Sequence, residues 1–141
     1  WDLPRIFDQW EDCGPLGGIL SAMDRSPEAP WLVLACDKPF VDRDTLRQLI
    51  RHRSPTADAT AYRISGQAGP EPLCTIYEPR ILSRLLEAVE AGQLSPRRVL
   101  EQSDIHLLGA AEGKVLHDVN TPEEYRGARS ILQHQQNDSP Q

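Results

Sequence analysis

The sequence predicts an α/β layered fold with a largely parallel sheet. Three observations carry that expectation. Segments of strand-like and helix-like periodicity alternate along nearly the whole chain. The stretch "WLVLAC" (31–36) is a continuous apolar run of strand length, the pattern of a strand buried on both faces. It ends in an aspartate and then a proline, "DKPF", at the place where open α/β sheets hold their ligands.

Taken in order, "LPRIF" (3–7) reads as a short strand. "GPLGGILSAMDRS" (14–26) carries Leu16, Ile19, Leu20 and Met23 at helical spacing behind a glycine-rich entry. After the buried strand, "VDRDTLRQLIRHR" (41–53) is an amphipathic helix with Asp42 as N-cap, an apolar stripe of Leu46, Leu49 and Ile50, and arginines toward its C-terminus. "ADATAYRI" (57–64) alternates weakly and reads as a strand, "GQAGP" (66–70) as a turn, and "PLCTIY" (72–77) as a strand that can run antiparallel to its neighbour at one sheet edge. "PRILSRLLEAVEAG" (79–92) is the clearest helix, with Pro79 in its first turn and Gly92 at its C-terminal cap. "SPRRVLEQS" (95–103) is a shorter helix capped by Ser95. "IHLLG" (105–109) and "KVLHDV" (114–119) read as strands. "TPEEYRGARSILQHQ" (121–135) opens with threonine, proline and two glutamates, a strong helix start. The organisation is one domain over 1–133 and a polar tail over 134–141.

Composition narrows the function classes. At 39% hydrophobic and 26% charged residues, the chain is of ordinary globular type. A net charge of −6 with no basic block argues against a nucleic-acid or membrane-surface binder. Cys13, Cys36 and Cys74 form no CxxC pair and read as small buried residues in a reducing cytoplasm. No apolar run is long enough to span a bilayer. The first residue is Trp1, not methionine, so the sequence reads as a fragment, a processed chain or the end of a fusion.

Three stretches carry candidate chemistry. Asp37, at the end of the buried strand, either holds a metal–nucleotide complex, or caps the next turn or pairs with Lys38. A carboxylate there suits Mg²⁺, which takes one or two carboxylates and completes its shell with phosphate oxygens. In "CGPLGGIL" (13–20), Gly17 and Gly18 permit close backbone approach at a helix N-terminus, for a base, for a phosphate or for packing. In "HDVNTPEEY" (117–125), Thr121 is the best cap of the last helix, which leaves Asn120 open to another role.

Together, "GPLGGIL", "LACDKPFV", "EPLCTIY" and "DVNTPEEY", in this order and over nearly the whole chain, resemble the molybdenum cofactor guanylyltransferase family of MobA-like nucleotidyltransferases. The resemblance implies a three-layer α/β/α, mostly parallel Rossmann-like sheet of the nucleotide-diphospho-sugar transferase type, with its N-terminal part missing. It implies transfer of GMP from GTP to the terminal phosphate of a molybdopterin-type cofactor with Mg²⁺, releasing pyrophosphate, and docking with molybdopterin-delivering proteins. By the same resemblance Asp37 is the metal-binding and catalytic aspartate and Gly14 and Gly18 belong to the base-side loop. Asp8 matches a nucleotide-reading aspartate at a spacing one residue short. Asn120 matches the second asparagine of an Asn-x-Asn motif near the reaction centre. Asp118 stands where the first asparagine is usual, and Lys38 fills a variable position. Arg97 and Arg98 are phosphate-contact candidates or a solvated helix face. The family's Gly-Gly loop followed by arginine and lysine has no counterpart in this sequence, which holds just two lysines, Lys38 and Lys114. The chain by itself is therefore expected to bind nucleotide and turn over poorly. Transfer of CMP, transfer to a sugar phosphate, and a non-catalytic partner domain that lost the phosphate loop are the alternatives.

Overall fold

A computed structural model describes residues 3–64, 66, 69–109, 116 and 118–137, with backbone alone over 134–137. Among these residues the order of elements is α1 (Gly14–Arg25), β1 (Trp31–Leu34), α2 (Arg43–Arg51), β2 (Ala59–Arg63), β3 (Pro70–Tyr77), a 3₁₀ turn (Pro79–Ile81), α3 (Leu82–Glu90), α4 (Pro96–Glu101), β4 (Ile105–Leu108) and α5 (Pro122–Asn137).

The described sheet has the order β1-β3-β2-β4. β3 is antiparallel to both β1 and β2, and β4 is parallel to β2. Three of the four strands therefore share one direction, and β3 runs against them. The antiparallel strand lies inside the sheet, not at its edge as the sequence suggested. It pairs on both sides, with Ile76 opposite Leu32 on β1 and opposite Thr60 on β2.

Helices cover both faces. On one, Leu16, Ile19, Leu20 and Met23 of α1 join Leu85 of α3 and Val99 and Leu100 of α4 over Ala59 and Tyr77 of the sheet. On the other, Leu49 of α2 packs with Tyr62, Cys74, Ile76 and Leu116. Burying these apolar side chains in two clusters, one per sheet face, is the main stabilising term, and the three-layer α/β/α expectation holds.

Several expectations need correction. β1 is not buried on both faces: Leu32 is 36% and Leu34 42% exposed. They stand opposite Ile76 and Cys74, on the face where α2 covers β2 and β3 but leaves β1 open. "LPRIF" forms no strand, and Phe7 is 77% exposed. This segment is held instead by Gln9, whose amide N–H donates to Ser21 Oγ at 2.9 Å. Cys13 and Cys74 are buried but Cys36 is exposed. Of the strand expected over 114–119, residues 114, 115 and 117 lie outside the described residues, as does Lys114 with them. Asp118 and Val119 join no ladder. α5 runs on to Asn137, so the helix takes in the first four positions of the expected tail. No described helix is long and apolar enough to cross a membrane.

Candidate active site

β1 leaves the sheet where the sequence placed the chemistry. The Ala35 N–H still donates to Leu73 O at 3.0 Å, and the chain then turns through Cys36 and Asp37. The β2–β3 turn and the end of β4 lie at this same end of the sheet, because β3 starts where β1, β2 and β4 finish. Asp37 is half-buried. Its Oδ1 is buried with no hydrogen-bond partner, alone in this among the described side chains. A buried carboxylate oxygen without a protein partner is costly, and natural proteins keep one where a ligand, an ion or an ordered water satisfies it.

Asp37 borders an open groove of about 500 Å³ between α1 and β1, with Pro15, Gly18, Trp31, Leu34 and Cys36 among its walls. Gly18 and Asp37 are thus brought together. Nothing lies within 4 Å of where a Gly18 Cβ would sit, so its backbone is approachable from the groove. The neighbouring Gly17 serves packing: a Cβ there would lie 2.8 Å from Trp10 O and 2.9 Å from both carboxylate oxygens of Asp8. Gly14 opens α1 at φ +54° and does not line the groove. Asp8 is turned onto α1, where Oδ1 accepts from the Trp10 N–H (2.9 Å) and from Ser21 Oγ (3.2 Å). It braces the segment before α1.

Lys38 does not pair with Asp37. Its side chain is 1% exposed, and Nζ donates to Asp118 Oδ1 (2.5 Å) and Leu116 O (3.2 Å) and lies 3.1 Å from Glu71 Oε2. Burial alone would lower the pKa of this ammonium. The hydrogen bonds and charges of Asp118 and Glu71 outweigh it and hold the group above its ordinary value. A second tie joins the same loops: the Val119 N–H donates to Asp37 O at 2.9 Å. Asp118 and Asn120 are therefore fastened beside Asp37 across the strand ends.

Asn120 presents an exposed side chain, while its backbone N–H donates to Glu124 Oε2 at 2.9 Å. Thr121 caps α5 as expected: its Oγ1 accepts from the Glu124 N–H (3.2 Å), and Glu124 takes the Thr121 N–H in return (3.0 Å). Arg97 lies beside the β2–β3 turn, 3.8 Å from where a Gly69 Cβ would stand, and so at the same end of the sheet as Asp37. Arg98 is exposed. Asp42 caps α2, its carboxyl held below the ordinary range by the Thr45 N–H and hydroxyl. A separate cavity of about 880 Å³ between α2 and β4 is lined by none of the sequence-selected site residues.

Sequence reasoning missed the roles of Lys38 and Glu71. The available signal was a lysine just beyond one apolar run and a glutamate at the head of another, since buried opposite charges seek one another.

Known proteins resemble this chain in sequence and in fold. Residues 1–137 match the MobA-like NTP transferase domain. The chain is 32% identical over 124 residues to the molybdenum cofactor biosynthesis bifunctional protein of Synechocystis sp., covering 88% of this chain and 36% of that protein. It is 31% identical over 116 residues to a probable molybdenum cofactor guanylyltransferase of Flavobacterium johnsoniae, covering 82% of this chain and 60% of the relative. It thus spans less than two thirds of either relative. Among solved structures, it superposes on molybdopterin-guanine dinucleotide biosynthesis protein A of Archaeoglobus fulgidus with a TM-score of 0.71 at 22% identity, covering 86% of this chain and 64% of the other. That likeness bears on the fold alone, and agrees with the layered α/β architecture. On the match over residues 1–137, the chain belongs to the MobA-like NTP transferase family.

Proposed function

We propose that the protein containing this chain transfers GMP from GTP to the terminal phosphate of a molybdopterin-type cofactor, as a nucleotidyltransferase of molybdenum cofactor synthesis. The observation that carries the reading is the partnerless buried Oδ1 of Asp37 at the strand end, in a groove shared with Gly18. Relatives named molybdenum cofactor guanylyltransferase supply the substrate class.

In this reading an oxygen of the acceptor's terminal phosphate attacks the α-phosphorus of GTP. The bond from that phosphorus to the α–β bridging oxygen breaks, and pyrophosphate leaves with the electron pair. The protein's part is to position and to complement charge. Asp37 would hold a divalent cation at this end of the sheet, beside the reacting phosphates. One carboxylate, with no group of three or more His, Cys, Asp or Glu side chains clustered for metal among the described residues, suits Mg²⁺, which takes its remaining ligands from phosphate and water. When bound, Mg²⁺ neutralises charge on the phosphates. Gly18 lets the nucleotide approach the α1 backbone, and Asn120 faces the acceptor side.

The test is pyrophosphate release by the intact protein with GTP or CTP, against molybdopterin-type and sugar-phosphate acceptors. The reading expects turnover with GTP and the molybdopterin-type acceptor to exceed every other combination by at least about tenfold, a transition-state difference of about 1.4 kcal/mol. Preference for CTP or a sugar phosphate would overturn the substrate assignment, and no turnover with any pair would favour a non-catalytic domain.

A further inference from the structure

We propose that Lys38 is a positioning residue of this site, an internal clamp that sets the Asp37 loop against the Asp118–Asn120 loop, with Asp118 as its partner. The inference rests on the reading of Asp37 as the phosphate- and metal-holding residue.

An ammonium has three N–H donors. All three of Lys38's are matched by acceptors: Glu71 at the start of β3, Asp118 ahead of α5, and the Leu116 carbonyl. With its donors used and its side chain 1% exposed, Lys38 has none left for a substrate phosphate, so it acts through its neighbours. Those neighbours are the site. Asp37 precedes it and Pro39, of fixed φ, follows it. Anchoring the lysine side chain therefore limits the freedom of the Asp37 backbone, whose carbonyl accepts the Val119 N–H. The two ties, Lys38 to Asp118 and Asp37 to Val119, hold the Asp37 loop against the loop that carries Asn120.

The same contact accounts for Asp118. A carboxylate beside bound phosphates would repel them, but this one lies against a buried ammonium that offsets part of its charge. Glu71, 5% exposed, supplies the second countercharge and fixes the clamp to the sheet.

The experiment uses the intact protein. Removing Lys38 alone would strand Glu71 as a buried unpaired charge, so the informative variant is K38M/E71Q, which leaves neither; D118A and D118N accompany it. Two readouts are taken on variants whose melting shows a folded protein: hydrogen exchange of the Val119 amide, and kcat and KM for GMP transfer. The clamp predicts that K38M/E71Q and D118A speed Val119 exchange and lower kcat by about 10–100-fold, the usual cost of losing a support of a reacting group, with KM for GTP nearly unchanged. D118A adds little on the K38M/E71Q background, because the partner is already gone. D118N, whose amide oxygen can still accept from Lys38, recovers most of what D118A loses. Unchanged Val119 exchange overturns the clamp whatever the activity. Faster exchange with wild-type kcat, or fully additive losses, overturns the positioning role. A wild-type protein that exchanges as predicted but transfers no GMP sinks the functional reading and leaves the clamp as a structural fact.

Discussion

Gly17 and Gly18 are adjacent in sequence and opposite in use. A methyl at Gly17 meets a backbone oxygen and a carboxylate already bonded to Ser21 of α1 and to the Trp10 N–H, neither free to withdraw. G17A is expected to lose on the order of 1–3 kcal/mol of stability, measured by urea unfolding. At Gly18 the space is open, so G18A is expected to gain up to about 1 kcal/mol from helix propensity while raising KM for nucleotide. Equal effects of the two would contradict the assignment of Gly18 to the groove. The cysteines divide as sharply. Cys36 is exposed and is expected to take a thiol reagent rapidly at neutral pH. Cys74 is fully buried, its thiol pushed up to about 11, chiefly by burial, and is expected to react only on unfolding. Asp37 was legible in the sequence because a charge that ends an apolar run demands a reason. Lys38 was not, because its partners Leu116 and Asp118 lie 78 and 80 residues away and no local pattern joins them.

At the scale of elements, local chemistry was the readable part. Asp42, Ser95 and Thr121 cap the helices the sequence assigned them, and Gly92 takes its φ of +74° just past α3. T121A is expected to cost about 1 kcal/mol and to fray the start of α5. That fraying would also loosen Asn120, whose backbone N–H shares the Glu124 carboxylate. Glu124 is held below its ordinary value first by the backbone N–H groups of Asn120 and Thr121. Its folded-state pKa is depressed, so its contribution is present above about pH 4.5 and is lost as the pH falls through the folded value. Amide protection factors at the start of α5, corrected for the intrinsic exchange rate at each pH, should therefore fall on acidification and fall less in E124Q. Strand burial was less legible. A run of apolar residues does not tell which side the next strand and the covering helix will take, and β1 proved half-open where the sequence implied full burial.

At the scale of the molecule, the outer edge of β1 carries no ladder among the described residues, and Leu32, Leu34 and Ile50 add exposed apolar surface. The chain studied alone is expected to self-associate through this edge, and L34K to reduce that association in sedimentation. Stability should also fall at high pH. Cys74 keeps its proton to about 11 when folded and releases it near 9 when unfolded, so between these values the unfolded chain binds fewer protons and gains. Burial of Tyr77 acts in the same direction. The layered class was legible because alternation of elements is a global pattern; the interior place of β3 was not, because strand order is set by packing between distant segments. Whether the Asp37 carboxylate holds the reacting phosphates is tested most directly by D37N in the intact protein. Asp37 Oδ1 has no protein partner to lose, so the account predicts unchanged melting with GMP-transfer kcat lower by at least about 100-fold. A folded D37N enzyme with wild-type turnover would contradict it.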